Sequence, residues 1–116
     1  MKKNVIKNKS FEFALEIIKI FKFLQSKNEF VLSKQILRSG TSIGAMIRES
    51  QHAESKADFI HKMAIAQKEA NETEYWLELL FKSDYINDNT FSDMKLKIEE
   101  IKKIISSIII TTKARN

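Results

Sequence analysis

The polar side chains best placed for chemistry fall in two stretches. Arg38-Ser39-Gly40-Thr41-Ser42 brings a guanidinium and three hydroxyls together, with Gly44 and Glu49 following; Glu69 and Glu72 stand three residues apart, on one flank of a helix. These are the groups of an ion-pair bridge between helices, with Arg38 facing a carboxylate and Ser39 and Ser42 filling the remaining hydrogen bonds. Glu49-Ser-Gln-His52 and Asp58-Phe-Ile-His61 have the carboxylate-x-x-His spacing of di-iron sites in bundles. Such a site also needs one carboxylate from each of two further helices. Glu12 or Glu16 would have to reach from the first helix, and the C-terminal part of the last helix offers no acid. Neither histidine pairs with a serine and an orienting acid, as a hydrolase requires. Gly40-x-x-x-Gly44 lacks the Lys-Ser/Thr of a phosphate loop. Tyr75-Trp76 could stack on bases, but beside Leu77 and Leu79 at helical spacing the pair reads as packing. The expectation is a protein with no catalytic residue, no metal and no cofactor.

Lysines form the other candidate set. The net charge is +5, but residues 1–38 hold nine Lys/Arg against three Glu, whereas 39–84 hold five against eight acids. Lys2, Lys3, Lys7 and Lys9 have no acidic neighbour before Glu12, and Lys95, Lys102 and Lys113 lie on one flank of the last helix. These seven are the candidate phosphate contacts, because cations without local acids attract polyanions.

The elements that must position these groups are all helical. The 116 residues include no proline, no cysteine and two glycines, so few tight turns and no disulfide or thiolate metal site can form. No stretch alternates apolar and polar residues for long, as strands do. One domain spanning 1–116 is expected: a basic N-terminal arm (1–9), four helices and a short basic tail (113–116). The first helix starts at Ser10 as N-cap and runs to Ser26; the second covers Ser33 to His52 and the third Lys56 to Lys82. The fourth runs from Phe91 to Thr112, with Thr90 and Asp93 spaced as a capping box.

The last two helices carry complementary seams. Phe59, Met63, Ala66, Ala70, Thr73, Leu77 and Leu80 alternate steps of four and three, as do Phe91, Met94, Ile98, Ile101, Ile105, Ile108 and Thr112. Folded antiparallel, Leu80 meets Met94, Leu77 meets Ile98, Ala70 meets Ile105 and Ala66 meets Ile108, small against large. The same folding of helix two on helix three levels Arg38 with Thr73, Ser42 with Glu69 and Glu49 with Lys62, and predicts a largely buried Arg38. Gly40 and Gly44, one turn apart, predict a close approach of helix one near Ala14 and Ile17. Helix one is apolar over more than half its circumference. Helix four adds Ile104, Ile109 and Ile110 to a complete seam, a surplus that predicts self-association.

Gln35-Ile-Leu-Arg-Ser-Gly-Thr-Ser-Ile-Gly-Ala-Met-Ile-Arg-Glu49, with Asp58-Phe-Ile-His-Lys-Met-Ala-Ile-Ala66 and Lys68-Glu-Ala-Asn-Glu-Thr-Glu-Tyr-Trp-Leu77, resembles the "four helix bundle protein" family, also called the 23S rRNA-intervening-sequence protein family. The resemblance covers about residues 8–112. It implies an all-α, antiparallel up-down four-helix bundle that assembles into a ring-like homopentamer, with no established enzymatic activity. A related branch, the accessory proteins of diversity-generating retroelements, forms basic pentameric barrels that bind nucleic acid and a reverse transcriptase. Met46 stands where the family usually has asparagine.

The functional expectation is a non-catalytic homo-oligomeric scaffold that binds RNA or DNA through basic surfaces. The alternatives are a module docking an acidic protein encoded nearby, such as a reverse transcriptase or other polymerase, and a bundle metalloprotein. Polar residues follow Met1-Lys2-Lys3, and the most apolar stretch, Ile101 to Ile110, is interrupted by Lys102 and Lys103. The expected location is therefore cytoplasmic, without signal peptide or membrane span.

Overall fold

The first question for a chain with two glycines is how its helices stop. In the computed structural model, which describes residues 4–115, left-handed backbone falls on Asn28 and Asp84, with φ of 62° and 67°. Asparagine and aspartate tolerate this region better than other side chains, so they take the place glycine usually holds after a helix. Glu29 N–H then donates to Leu24 O, and Tyr85 N–H to Leu80 O, both at 2.9 Å, closing the two helix ends. Both glycines are thereby left for a different task.

The helices are α1 (Val5–Ser26), α2 (Leu32–Ser50), α3 (Lys56–Lys82) and α4 (Asp88–Ala114). Among the described residues there is no strand. Each helix packs on the next and α4 returns to α1, whose mutual seam is the thinnest. Cross-helix contacts run in opposite directions along every pair. Gln25 reaches Ser33 while Arg48 lies over Phe11; Lys62 reaches Glu49 while Thr73 meets Ser39; Phe81 stacks on Phe91 while Gln67 meets Ser106. The bundle is therefore antiparallel and up-down, 50 × 24 × 22 Å in extent.

Three helices begin on a side chain that accepts from the third residue onward: Asn4 from Lys7 N, Ser55 from Asp58 N and Asn87 from Thr90 N. Two sequence-based starts are corrected by this. α1 begins at Val5, not after Ser10, so Lys7 and Lys9 sit on a helix rather than an arm. Ser10 is buried and its hydroxyl donates to Lys7 O at 3.2 Å. α4 begins at Asp88 because Asn87 caps it and the Asp88 carboxylate suits the positive helix end, so Thr90 is already inside the first turn. At the other end, Lys113 and Ala114 continue α4 rather than forming a tail. α2 has no cap of its own at Val31. Glu29 replaces it: the buried carboxylate accepts from Ser33 N at 2.7 Å and Val31 N at 3.3 Å.

The core is one stripe from each helix, including Phe13, Ile17 and Leu24 of α1, Ile36, Ile43 and Ile47 of α2, Met63, Ala66, Ala70 and Leu77 of α3, and Met94, Ile98 and Ile105 of α4. The α3–α4 seam read from the sequence is buried from Met63 to Leu80 and from Met94 to Ile105. Gly40 and Gly44 both face α1, but unequally. A Cβ on Gly40 would lie 2.6 Å from Ile17 Cγ1 and 2.9 Å from its Cγ2 and Cδ1; on Gly44 it would lie 3.4 Å from Ser10, an ordinary contact. The expected contact with Ile17 is present, and Ser10 rather than Ala14 lies under Gly44.

Ile17 is fully buried and cannot withdraw, so Gly40→Ala should destabilise the protein by about 1–3 kcal/mol despite alanine's helix propensity. Gly44→Ala should be neutral or stabilising. Urea melts of the two variants check this, and equal effects would remove close approach as the reason for Gly40.

Candidate functional site

The α2–α3 interface carries the polar bridge. Arg38 Nη1 lies 3.2 Å from Glu69 Oε1, and Nη2 pairs with Glu72, so one planar guanidinium joins two carboxylates a helical turn apart. The Trp76 indole N–H donates to the same Glu72 oxygen at 3.1 Å. Beneath the ion pair, the Thr73 hydroxyl lies within hydrogen-bond reach of both Ser39 Oγ and Glu69 O. Arg38 itself is not largely buried: its side chain is 49% exposed against 17% for Glu69. The bridge lies on the solvent side of the interface, above a fully buried Ser39–Thr73 floor. Ser42 takes no part, because its hydroxyl donates to Arg38 O of its own helix at 2.6 Å. Glu49 closes the far end through Lys62 at 3.1 Å, at the level the sequence register gave it. Hydrogen bonds from Arg38, then Trp76, hold the Glu72 carboxyl below the usual glutamate value. This is a clamp between helices, with its donors and acceptors already engaged.

A second cluster was missed at the level of sequence. Glu74 on α3 receives Lys102 Nζ at 2.8 Å and Lys95 Nζ at 3.5 Å from α4, and it is 19% exposed. The Lys102 hydrogen bond, ahead of the Coulombic pull of Lys102 and Lys95, depresses its pKa. Two of the seven candidate phosphate lysines are thus engaged within the chain. The signal was present: the hairpin register that sets Leu77 against Ile98 and Ala70 against Ile105 places Glu74 at a level between Lys95 and Lys102.

The other candidate lysines divide. Lys2 and Lys3 lie outside the described residues. Lys9 pairs with Glu100 across the α1–α4 seam at 3.2 Å. Lys7 and Lys113 form no ion pair among the described residues. The two carboxylate-x-x-His motifs do not converge, since His52 and His61 are exposed and Glu49 is held by Lys62. Among the described residues no three His, Cys, Asp or Glu side chains gather as metal ligands. Met46 packs partly buried against the core, an apolar contact at the position where the family resemblance leads one to expect an amide. No described helix is long and apolar enough to cross a membrane.

The sequence profile of the 23S rRNA-intervening sequence protein family matches residues 2–107. A crystal structure from Bacteroides thetaiotaomicron VPI-5482, described as a protein with unknown function from the S23 ribosomal protein family, is 56% identical in sequence. It superposes with a TM-score of 0.88, covering 90% of this chain and 97% of that one. Among curated proteins none matches.

Two stability predictions follow from the ion pairs. Because Arg38 is half solvated, Arg38→Ala should cost about 1–2 kcal/mol, not the roughly 3–5 kcal/mol of a buried pair. A loss beyond 3 kcal/mol in a denaturant melt would show that the bridge is dry in solution. The carboxyls of Glu72 and Glu74 are both lowered from an ordinary value of 4.5. Their contribution is therefore complete above that value and is lost as pH falls through the depressed values. Glu74→Gln should melt earlier than the wild type at pH 7, and the gap should narrow as pH falls below the ordinary carboxyl value. A gap that stays constant with pH would mean that the carboxylate charge is immaterial.

Proposed function

Since the chain belongs to the 23S rRNA-intervening sequence protein family, we propose that it is a non-catalytic, homo-oligomeric helical scaffold that binds nucleic acid through one basic end. One observation carries the reading. Residues 1–11 and 101–116 contain eight Lys/Arg and no Asp or Glu. The antiparallel packing of α1 on α4 gathers the described parts of both segments at the same end of the bundle. Lys56, at the start of α3, joins them by donating to Arg115 O. All fifteen Asp and Glu lie between Glu12 and Glu100, outside both segments, with Glu54 and Asp58 flanking Lys56.

Phosphate contact needs cations that are not already neutralised. Lys7, Lys103, Lys113 and Arg115 meet that condition among the described residues, whereas Lys95 and Lys102 hold Glu74 and Lys9 holds Glu100. Repetition of the end around an oligomer would multiply a modest patch into a multivalent one. A ring of five is the stoichiometry that the family resemblance implies. A polymerase or other acidic protein would meet the same cations, and it remains the second reading.

Filter binding to a structured RNA and to duplex DNA over a range of salt tests the proposal. Affinity should fall steeply with salt, and each of Lys7→Gln and Lys113→Gln should reduce the log–log slope by about 0.9 per site, while Lys95→Gln leaves it unchanged. Absence of binding at low salt would overturn the nucleic-acid reading and leave the acidic protein.

A further inference from the structure

The α1–α4 seam, the thinnest in the bundle, holds a cavity of about 730 Å³ toward the end opposite the basic one. That volume is ordinary for a small-molecule site. Its apolar floor is Ile20 of α1, Ile86 of the α3–α4 turn and Met94 of α4, all buried, with the partly exposed rings of Phe23 and Tyr85 beside them. Around the floor stand three carboxylates, Glu16, Asp84 and Asp93, against one cation, Lys19. Lys19 reaches Glu16 at 3.4 Å and Lys97 reaches Asp93 at 2.9 Å, each along its own helix and partly exposed, so both pairs are weak enough to exchange for another cation. Asp84 is different: no ion pair or side-chain hydrogen bond engages its carboxylate among the described residues. Its left-handed backbone explains the choice of a short polar side chain, but Asn28 performs the same task after α1 without a charge. A carboxylate one residue beyond the C-cap of α3 faces the negative end of that helix, where it is unfavourable. The positive end of α4 already has Asp88 in its first turn. The fold thus gives no reason for the charge on Asp84.

We infer that this cavity is a binding site for a linear polyamine, a chain of methylenes joining ammonium groups. Carboxylates spaced around an apolar floor match ammonium groups spaced by methylenes: the charges meet at the rim, and the stem covers Ile20, Ile86 and Met94. The two rings suit the same ligand, because aromatic faces attract alkylammonium groups; Lys27 Nζ already lies 5.6 Å from the centre of the Phe23 ring. Other ligand classes fit less well. An anion would meet three like charges, and a neutral apolar molecule would strip water from the carboxylates without replacing it. A compact metal ion would gain nothing from floor or rings, and the three carboxylates do not gather as metal ligands. The site lies away from the cations assigned to phosphate contact and does not depend on them.

Isothermal titration calorimetry with spermidine tests the site, with magnesium chloride at equal ionic strength as the second titrant. Spermidine should saturate at one per chain, and magnesium should show no saturable binding. Asp84→Asn keeps the left-handed turn; it should weaken spermidine about tenfold and raise the melting temperature of the unliganded protein. Glu78→Gln removes the same charge outside the cavity and should leave the affinity unchanged. Phe23→Ala keeps every charge and should weaken binding several-fold, with Tyr85→Ser in its place if Phe23→Ala loses its helical circular dichroism. Absence of saturable spermidine binding overturns the site. So do equal losses from Asp84→Asn and Glu78→Gln, or full affinity in Phe23→Ala, since either marks a diffuse counter-ion effect. An Asp84→Asn variant that melts earlier than the wild type would give the charge a structural role and overturn the assignment as well.

Discussion

Each helix of a four-helix bundle can turn only one stripe, a little over 100° wide, toward the shared core. Apolar side chains beyond that stripe stay at the surface of the single chain, and this chain has several. Ile6, Phe13, Ile17, Ile20 and Leu24 fill the α1 stripe, and Phe11, Leu15 and Phe23 are left outside. Met94, Ile98, Ile101 and Ile105 fill that of α4, and Leu96 and Ile110 are left outside. Scattered exposed leucines are ordinary, but these fall at helical spacing on defined faces. The same limit explains Gly40. To bring α1 close enough for a fully buried Ile17, α2 gives up a side chain at the point of contact.

What the sequence made legible was whatever repeats with the helix. The α3–α4 seam shows in its alternating steps because both helices lie in register for seven positions. Arg38 could be matched to Glu69 and Glu72 because their levels follow from one short turn. Its burial could not, since register fixes the level of a side chain along the bundle and not its depth, and Arg38 is half exposed. Ser10 passed for a cap because small hydroxyls both cap helices and fit under glycines; here it does the second. Glu29 went unread because a glutamate four residues before Ser33 caps α2 from outside the usual position. Lys95 and Lys102 looked like free cations because their partner, Glu74, is more than twenty residues away in sequence.

These internal pairs reshape the functional reading. A positive charge that neutralises a carboxylate across a helix seam stabilises the fold and contributes little to a polyanion site. Removing such lysines from consideration leaves the cations near the chain ends, which the antiparallel topology gathers at one end of the bundle. The clamp of Arg38 with its two glutamates and the Glu74 cluster lie on the flanks of α3, so α3 serves mainly as the element to which α2 and α4 are fastened. Phe11 and Leu15 of α1 and Leu96 and Ile110 of α4 stay exposed.

The account stands on the claim that the surplus apolar faces are covered by further copies of the chain. Native mass spectrometry of the wild-type protein, sprayed from a volatile buffer near physiological ionic strength, tests it most directly. The account predicts a dominant species at five times the 13.5 kDa chain mass. A spectrum of bare monomer would contradict it.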